Sequence, residues 1–253
     1  MTRYVPNAAL PVIAPPEPLQ CGRFTLTFER PLVMGILNIT PDSFSDGGKF
    51  AARGDALRQA ERMMLDGADI IDIGGESTRP GALPVPLDEE LERVIPLIEQ
   101  LRSAQVPLSV DTYKPEVMRH ALAAGADLVN DIWGFRMPGA IDAVRDSQCG
   151  LCVMHMLGEP QTMQVDEPPY RDVVSEVRTF LEERVAALTG AGGRETAHQR
   201  RPRFWLRQGH DRTQLRFAGP FARHGAARRA TVSDIGGHVA QVDARCGHWP
   251  CRA

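Results

Sequence analysis

Lysine is nearly missing. It stands only at positions 49 and 114, so 27 of the 29 basic residues are arginine, the mark of a GC-rich genome. Cysteine is sparse: five in 253 residues do not make a disulfide framework, and reduced thiols are expected. The spacing Cys149-Gly-Leu-Cys152 matches a redox pair, but that chemistry needs its first cysteine at a helix N-terminus. Here the motif leads into the apolar run 151–156, so a buried structural pair is expected. No apolar run approaches the 18 or so residues of a membrane span. Residues 1–30 are Pro-rich and have neither the basic start nor the apolar core of a signal peptide. They are expected to form a loose leader on a cytoplasmic protein with no membrane partner.

Acids are scarce in one place only. Residues 191–253 hold 12 arginines, no lysine and four acids, a net charge of +8, whereas the rest of the chain carries −11. Leu, Ile, Val and Phe supply nine of those 63 residues, a level that predicts disorder. The change of character is sharpest at 198–219, HQRRPRFWLRQGHDRTQLRFAG.

Between 31 and 190 the pattern is strand, loop, helix, five times over. Strands are expected at 31–40, 69–75, 107–112, 127–134 and 151–156, because short apolar runs are what strands buried on both faces look like. Helices are expected at 55–65, 88–101, 115–125, 138–147 and 172–190. Five consecutive βα units imply a parallel α/β sheet. A doubly wound sheet and a (β/α)8 TIM barrel both fit. The polar residues favour the barrel: Asn38, Glu76, Asp111, Asn130, Asp131 and His155 all fall at strand C-terminal ends, where barrel sites are assembled from several strands. With five units in 160 residues, the barrel is expected to be incomplete, with its first and fifth strands as open edges.

The loop after the first strand, NITPDSFSDGGKF, is dense in hydroxyls and acids; the loop after the second, GGESTRPGALP, brings Thr78 and the planar fork of Arg79, suited to a phosphate or carboxylate. The strand ending SVDT closes on Asp111, and VND places Asn130 beside Asp131. An acid and an amide side by side can read a ring edge that presents N–H donors and a carbonyl, as a pterin or guanine does; the plainer alternative is a pair of strand-end caps. His155 could be a general base or metal ligand, but a lone strand-end histidine between two methionines is more often packed. His120 is expected on an exposed helix face.

MGILNITPDSFSDGG (34–48), GADIIDIGGESTRPGA (67–82), SVDTYKPEV, GADLVNDIWG and VMHMLGEPQTMQ resemble, in order, the signatures of the dihydropteroate synthase family. The resemblance covers about 31–190. It implies a (β/α)8 barrel, usually a homodimer, that joins p-aminobenzoate to a 6-hydroxymethyl-7,8-dihydropterin diphosphate and is a sulfonamide target. It implies that Asn38 binds Mg2+ through its side-chain oxygen, and that Thr78 contacts the diphosphate-bearing substrate; Arg79, with its fork, is expected to bind substrate too. By the same resemblance Asp111 and Asn130 hold the pterin, Asp111 also counters its developing positive charge, Met154 packs near the ring, and loops 40–50 and 76–83 close over p-aminobenzoate.

The family's later motifs, a strand ending D-P-G-F-G-F-G-K and others ending S-R-K-S and R-x-H, are absent. Codon logic restores two of them. Trp205 has the single codon TGG; followed by Leu206, a reading one base later forces Gly. The same shift lets 201–208 read D-P-G-F-G-F-G-K and 238–245 read M-S-R-K-S-M-L-G. One inserted base near 190–193 therefore accounts for the aberrant tail 191–253. Such a chain is expected to fold poorly, to turn over little and to lose the family's homodimer. Two other readings are weaker: a methyltetrahydrofolate-binding methyltransferase domain, which is not expected to carry NITPDSFSD, and a nucleic-acid-binding tail built on Phe204, Trp205, Phe217 and Phe221. The shifted frame already explains the arginines, so no nucleic-acid partner is expected.

Overall fold

The computed structural model describes residues 18–39, 48–77, 83–155, 171–190, 204–208, 217–218 and 239–243. A hairpin comes first, β1 (Leu19–Cys21) and β2 (Phe24–Leu26). Five βα units follow: β3 (Leu32–Asn38) with α1 (Gly48–Leu65), β4 (Ile70–Gly74) with α2 (Leu87–Leu101), β5 (Leu108–Asp111) with α3 (Pro115–Ala124), β6 (Leu128–Asp131) with α4 (Ala140–Val144), and β7 (Gly150–His155) with α5 (Val173–Gly190). Three short strands complete the sheet: β8 (Phe204–Gln208), β9 (Phe217–Ala218) and β10 (Val239–Asp243). No helix among the described residues is long and apolar enough to cross a membrane.

The sheet runs β10-β3-β4-β5-β6-β7-β8-β9, parallel from β10 to β8, with β9 antiparallel at one end. β3 and β7 are therefore not edges, contrary to expectation: β10 pairs along β3 and β8 along β7. A strand edge with free N–H and C=O groups is a template for any nearby extended segment, and Phe204–Gln208 brings Phe204 and Trp205 and Val239–Asp243 two valines, residue types that suit a strand. Among the described residues the sheet does not close on itself, and β10 and β9 are its two ends.

Strand parity sorts the side chains into two packed layers. One set (Leu37, Ile71, Ile73, Val110, Val129 and Val153) joins the buried faces of the helices in the main core. The other set (Leu32, Met34, Ile70, Leu128 and Cys152) packs on the opposite face with Leu19 and Cys21 of the hairpin. The hairpin thus covers the apolar start of the strands. Two strands of three residues leave no periodic signal, which is why the leader showed none. Asp127 latches it: Oδ1 accepts from the backbone N and Nε of Arg23 at 3.0 Å each, and Oδ2 from Leu108 N at 3.1 Å. Gly22, at φ +53, passes so close that a Cβ there would lie 2.5 Å from Asp127 Oδ1.

Helix α2 buries Val94, Leu97, Ile98 and Leu101 as an apolar stripe, and also one acid of its first turn, Glu90. The strand expected over 127–134 ends earlier, at Asp131. The chain then turns tightly through Gly134 (φ +63) and Phe135 (φ +58). A left-handed phenylalanine is strained, and Asp131 holds it in place: its two carboxylate oxygens accept from Trp133 N at 2.7 Å and Phe135 N at 2.8 Å. Burial raises the Asp131 pKa to about 7, against those hydrogen bonds and Arg136, which lower it. A folded pKa above the unfolded one gives stability that is full below the ordinary carboxylate value and is lost as pH rises through about 7. The stability advantage of wild type over Asp131→Asn, read from urea midpoints, is expected to shrink steadily from pH 4 to pH 7.

Candidate functional site

The C-terminal ends of β3 to β7 carry the polar side chains. Register places Asn38 beside Gly74, Gly74 beside Asp111 and Asp111 beside Asn130, one continuous row across four parallel strands. Three of the residues singled out from the sequence thus share a level and a face. Gly74 keeps room in the row: a Cβ there would lie 3.1 Å from Asn38 Oδ1 and 3.7 Å from the Asp111 Cβ, filling the space between the amide and the acid. Asn38 is half-buried, Asp111 is 8% exposed and Asn130 is fully enclosed.

One layer below lies Asp72, fully buried. Ser109 Oγ donates to its Oδ1 at 2.5 Å and Asn130 Nδ2 donates to its Oδ2 at 2.9 Å. Sequence reasoning missed Asp72 because DIIDIGG reads as a strand. The usable signal was the acid itself, since a carboxylate inside an apolar run needs partners to be buried.

One layer above, Met154 (3% exposed) meets Ile132, and Tyr113 and Trp133 pack against both. The two aromatic rings stack, with centroids 5.3 Å apart and planes 20° from parallel. His155 points to the other side of the sheet. It is buried edge-on to Phe180 of α5 at 5.0 Å, and burial and Arg136 push its pKa below the ordinary value. It is packed, as a lone strand-end histidine usually is. His120 is exposed on α3, with Nδ1 2.8 Å from the Glu116 carbonyl.

The rim is braced by Lys114. Its ammonium donates to Glu76 Oε2 at 2.5 Å, to the Val85 carbonyl at 2.6 Å and to Glu90 Oε2. Tyr113 Oη donates to Glu76 Oε1 at 3.0 Å, and Thr112 Oγ1 to Glu90 Oε1 at 2.7 Å. The connection from β4 to α2 is thus held at both of its ends, beside Asp111. Burial opposes the charge on Lys114, yet the hydrogen bonds to Glu76 and Glu90 lift its pKa above the ordinary value. Burial and the Glu76 carboxylate push the Tyr113 phenol up as well.

Thr78 and Arg79 lie outside the described residues, as do Met156 and most of loop 40–50. Cys149 and Cys152 are not joined in a disulfide, and burial pushes the Cys149 thiol up to about 11. A thiol held protonated is a poor nucleophile, in keeping with the structural reading of CGLC. Among the described residues no group of three or more His, Cys, Asp or Glu side chains is placed to hold a metal.

The profile of the pterin binding enzymes matches residues 34–197. The chain belongs to that family. Dihydropteroate synthases are among its relatives. That of Escherichia coli K12 is 48% identical over 169 residues, 66% of this chain and 60% of that one. The crystal structure of the Burkholderia cenocepacia enzyme complexed with 7,8-dihydropteroate superposes with a TM-score of 0.66 at 67% identity, over 76% of this chain and 63% of that one. The Xanthomonas albilineans enzyme with 4-aminobenzoic acid gives 0.64 at 53% identity, over 71% and 63%. The chain therefore spans about 60% of the length of the curated relatives it matches. The fold is that of their TIM barrel, with five βα units in the expected order.

Proposed function

We propose that the site holds a pterin diphosphate and joins it to p-aminobenzoate, releasing pyrophosphate, in folate biosynthesis. The observation that carries this is the row Asn38–Gly74–Asp111–Asn130, in register across four strands. It puts a carboxylate and an enclosed amide where a flat ring would lie against Ile132 and Met154. The chemistry follows. The carbon–oxygen bond between the pterin methylene and the diphosphate breaks, the aniline nitrogen lone pair forms the new carbon–nitrogen bond, and that nitrogen loses a proton. As the diphosphate leaves, positive charge grows on the ring system. Asp111, 8% exposed and so poorly screened by water, opposes that charge as it develops. Ile132 and Met154 exclude water from the methylene. Thr78 contacts the diphosphate-bearing substrate, Arg79 offers its fork to a phosphate or carboxylate of the substrates, and loops 40–50 and 76–83 close over p-aminobenzoate, where sulfonamides compete.

Mg2+ fits the residues present. It takes few protein oxygens and keeps waters and substrate phosphates as its remaining ligands. Asn38 Oδ1, beside the space left by Gly74, is a neutral oxygen of the right kind. When bound, Mg2+ neutralises charge on the leaving diphosphate. The proposed setting is the cytoplasm. The tail 191–253 is proposed to be out of frame, since the family match stops at 197, three residues before the arginines begin in earnest.

Calorimetric titration of the pterin diphosphate with Mg2+ tests the site. Asp111→Asn is expected to weaken binding by a factor of about 10 to 100, as loss of a buried charged hydrogen bond does. Equal affinity in the variant would rule out the assigned role of Asp111.

A further inference from the structure

Asp72 is a buried carboxylate to which the reaction above assigns no role. It sits on β4 two residues before Gly74, on the same face, one layer below the row. Both its oxygens are engaged by donors: the Ser109 hydroxyl at 2.5 Å on Oδ1 and the Asn130 amide nitrogen at 2.9 Å on Oδ2. Asn130 turns its Nδ2 toward Asp72, the arrangement in which the amide donates and the carboxyl oxygen accepts. The carbonyl half of the amide is thereby turned away from Asp72. Asn130 Oδ1 is buried and accepts no hydrogen bond from the described residues. A buried acceptor left unmet carries a desolvation cost, which a bound donor removes.

We propose that Asp72 is a positioning residue that fixes the polarity of Asn130, so that the site selects a flat heterocycle presenting an N–H donor to that amide. This rests on the reading above of Asn130 as a ring contact. The chemistry of the variant Asp72→Asn makes the point testable. An asparagine at 72 has one accepting oxygen and one donating nitrogen. With the oxygen taken by Ser109, its nitrogen faces Asn130, whose amide then turns over and offers N–H to the ring instead of a carbonyl. Ser109→Ala, in contrast, leaves Asp72 its hold on the amide.

The experiment uses the full chain, titrated with 6-hydroxymethylpterin and with the analogue in which the exocyclic amine is replaced by hydrogen. The side-chain amide of Asn130 is followed alongside by nitrogen-15 NMR. The wild type is expected to prefer the amine-bearing ring by about tenfold or more. Asp72→Asn should bring the two within about threefold, and Ser109→Ala should keep the preference. The proposal is overturned if Asp72→Asn retains the wild-type preference, if Ser109→Ala loses it equally, or if the wild type binds both rings alike. If the wild type binds neither ring, the reading of the site fails, and the amide decides the positioning role by itself. Slow exchange of the Asn130 Nδ2 protons in the wild type, about tenfold faster in Asp72→Asn, supports it. Fast exchange in the wild type overturns it, and that readout holds even if the variant does not fold.

Discussion

Restoring the reading frame from about residue 191 is expected to raise condensation of p-aminobenzoate with the pterin diphosphate about a thousandfold or more over the chain as written. The figure follows from what the tail lacks. Losing one group that stabilises charge in a transition state typically costs about a hundred- to a thousandfold, and the absent motifs carry several. By the family resemblance these are a second pterin-binding acid, the lysine that contacts ring and substrate, and the arginine and histidine that bind pyrophosphate. The chain supplies arginines in their place, 12 of them in 63 residues with no lysine. The assay is turnover of purified chain and frame-restored chain under identical Mg2+. Equal turnover in the two would show that the tail as written completes the site.

Lys114→Met is expected to destabilise the fold by about 3–5 kcal/mol, the usual cost of removing one member of a buried charge network. The effect is large because the partners stay behind. Glu90 is 1% exposed and Glu76 10% exposed in their side chains, and each would keep a negative charge with its cation gone. Thr112 and Tyr113 also lose their ordered acceptors. Lys114→Arg keeps the charge and should recover much of the loss. The Lys114 pKa is raised in the fold, so the contribution is full below the ordinary lysine value and fades only as pH climbs through the higher folded one. Chemical denaturation of the wild type and both variants at pH 7 measures it. A Lys114→Met midpoint within error of wild type would mean that the network carries no net stability.

The five βα units were legible because strands buried on both faces leave continuous apolar runs, and because α2 and α3 announce their ends with an acidic first turn, a leading proline and a closing glycine. Asn38, Asp111 and Asn130 stood out as polar residues at the ends of such runs. That they share one row did not, since register depends on how neighbouring strands slide, which no single segment encodes. The Lys114 brace was hidden for a related reason: Glu76, Glu90 and Lys114 come from three separate segments, and only the sheet brings them together. Asp72 was concealed inside its own strand. The strands β8 and β10 went unread because their segment has the composition of a solvated tail, yet their backbones find partners at β7 and β3.

The most direct test of the account is the nucleotide sequence of the coding DNA across codons 186–253. One extra base is expected near codons 190–193, after which the frame one base later reads Asp-Pro-Gly-Phe-Gly-Phe-Gly-Lys over 201–208 and Ser-Arg-Lys-Ser within 238–245. Codons in that stretch that cannot give those residues in the shifted frame would contradict it.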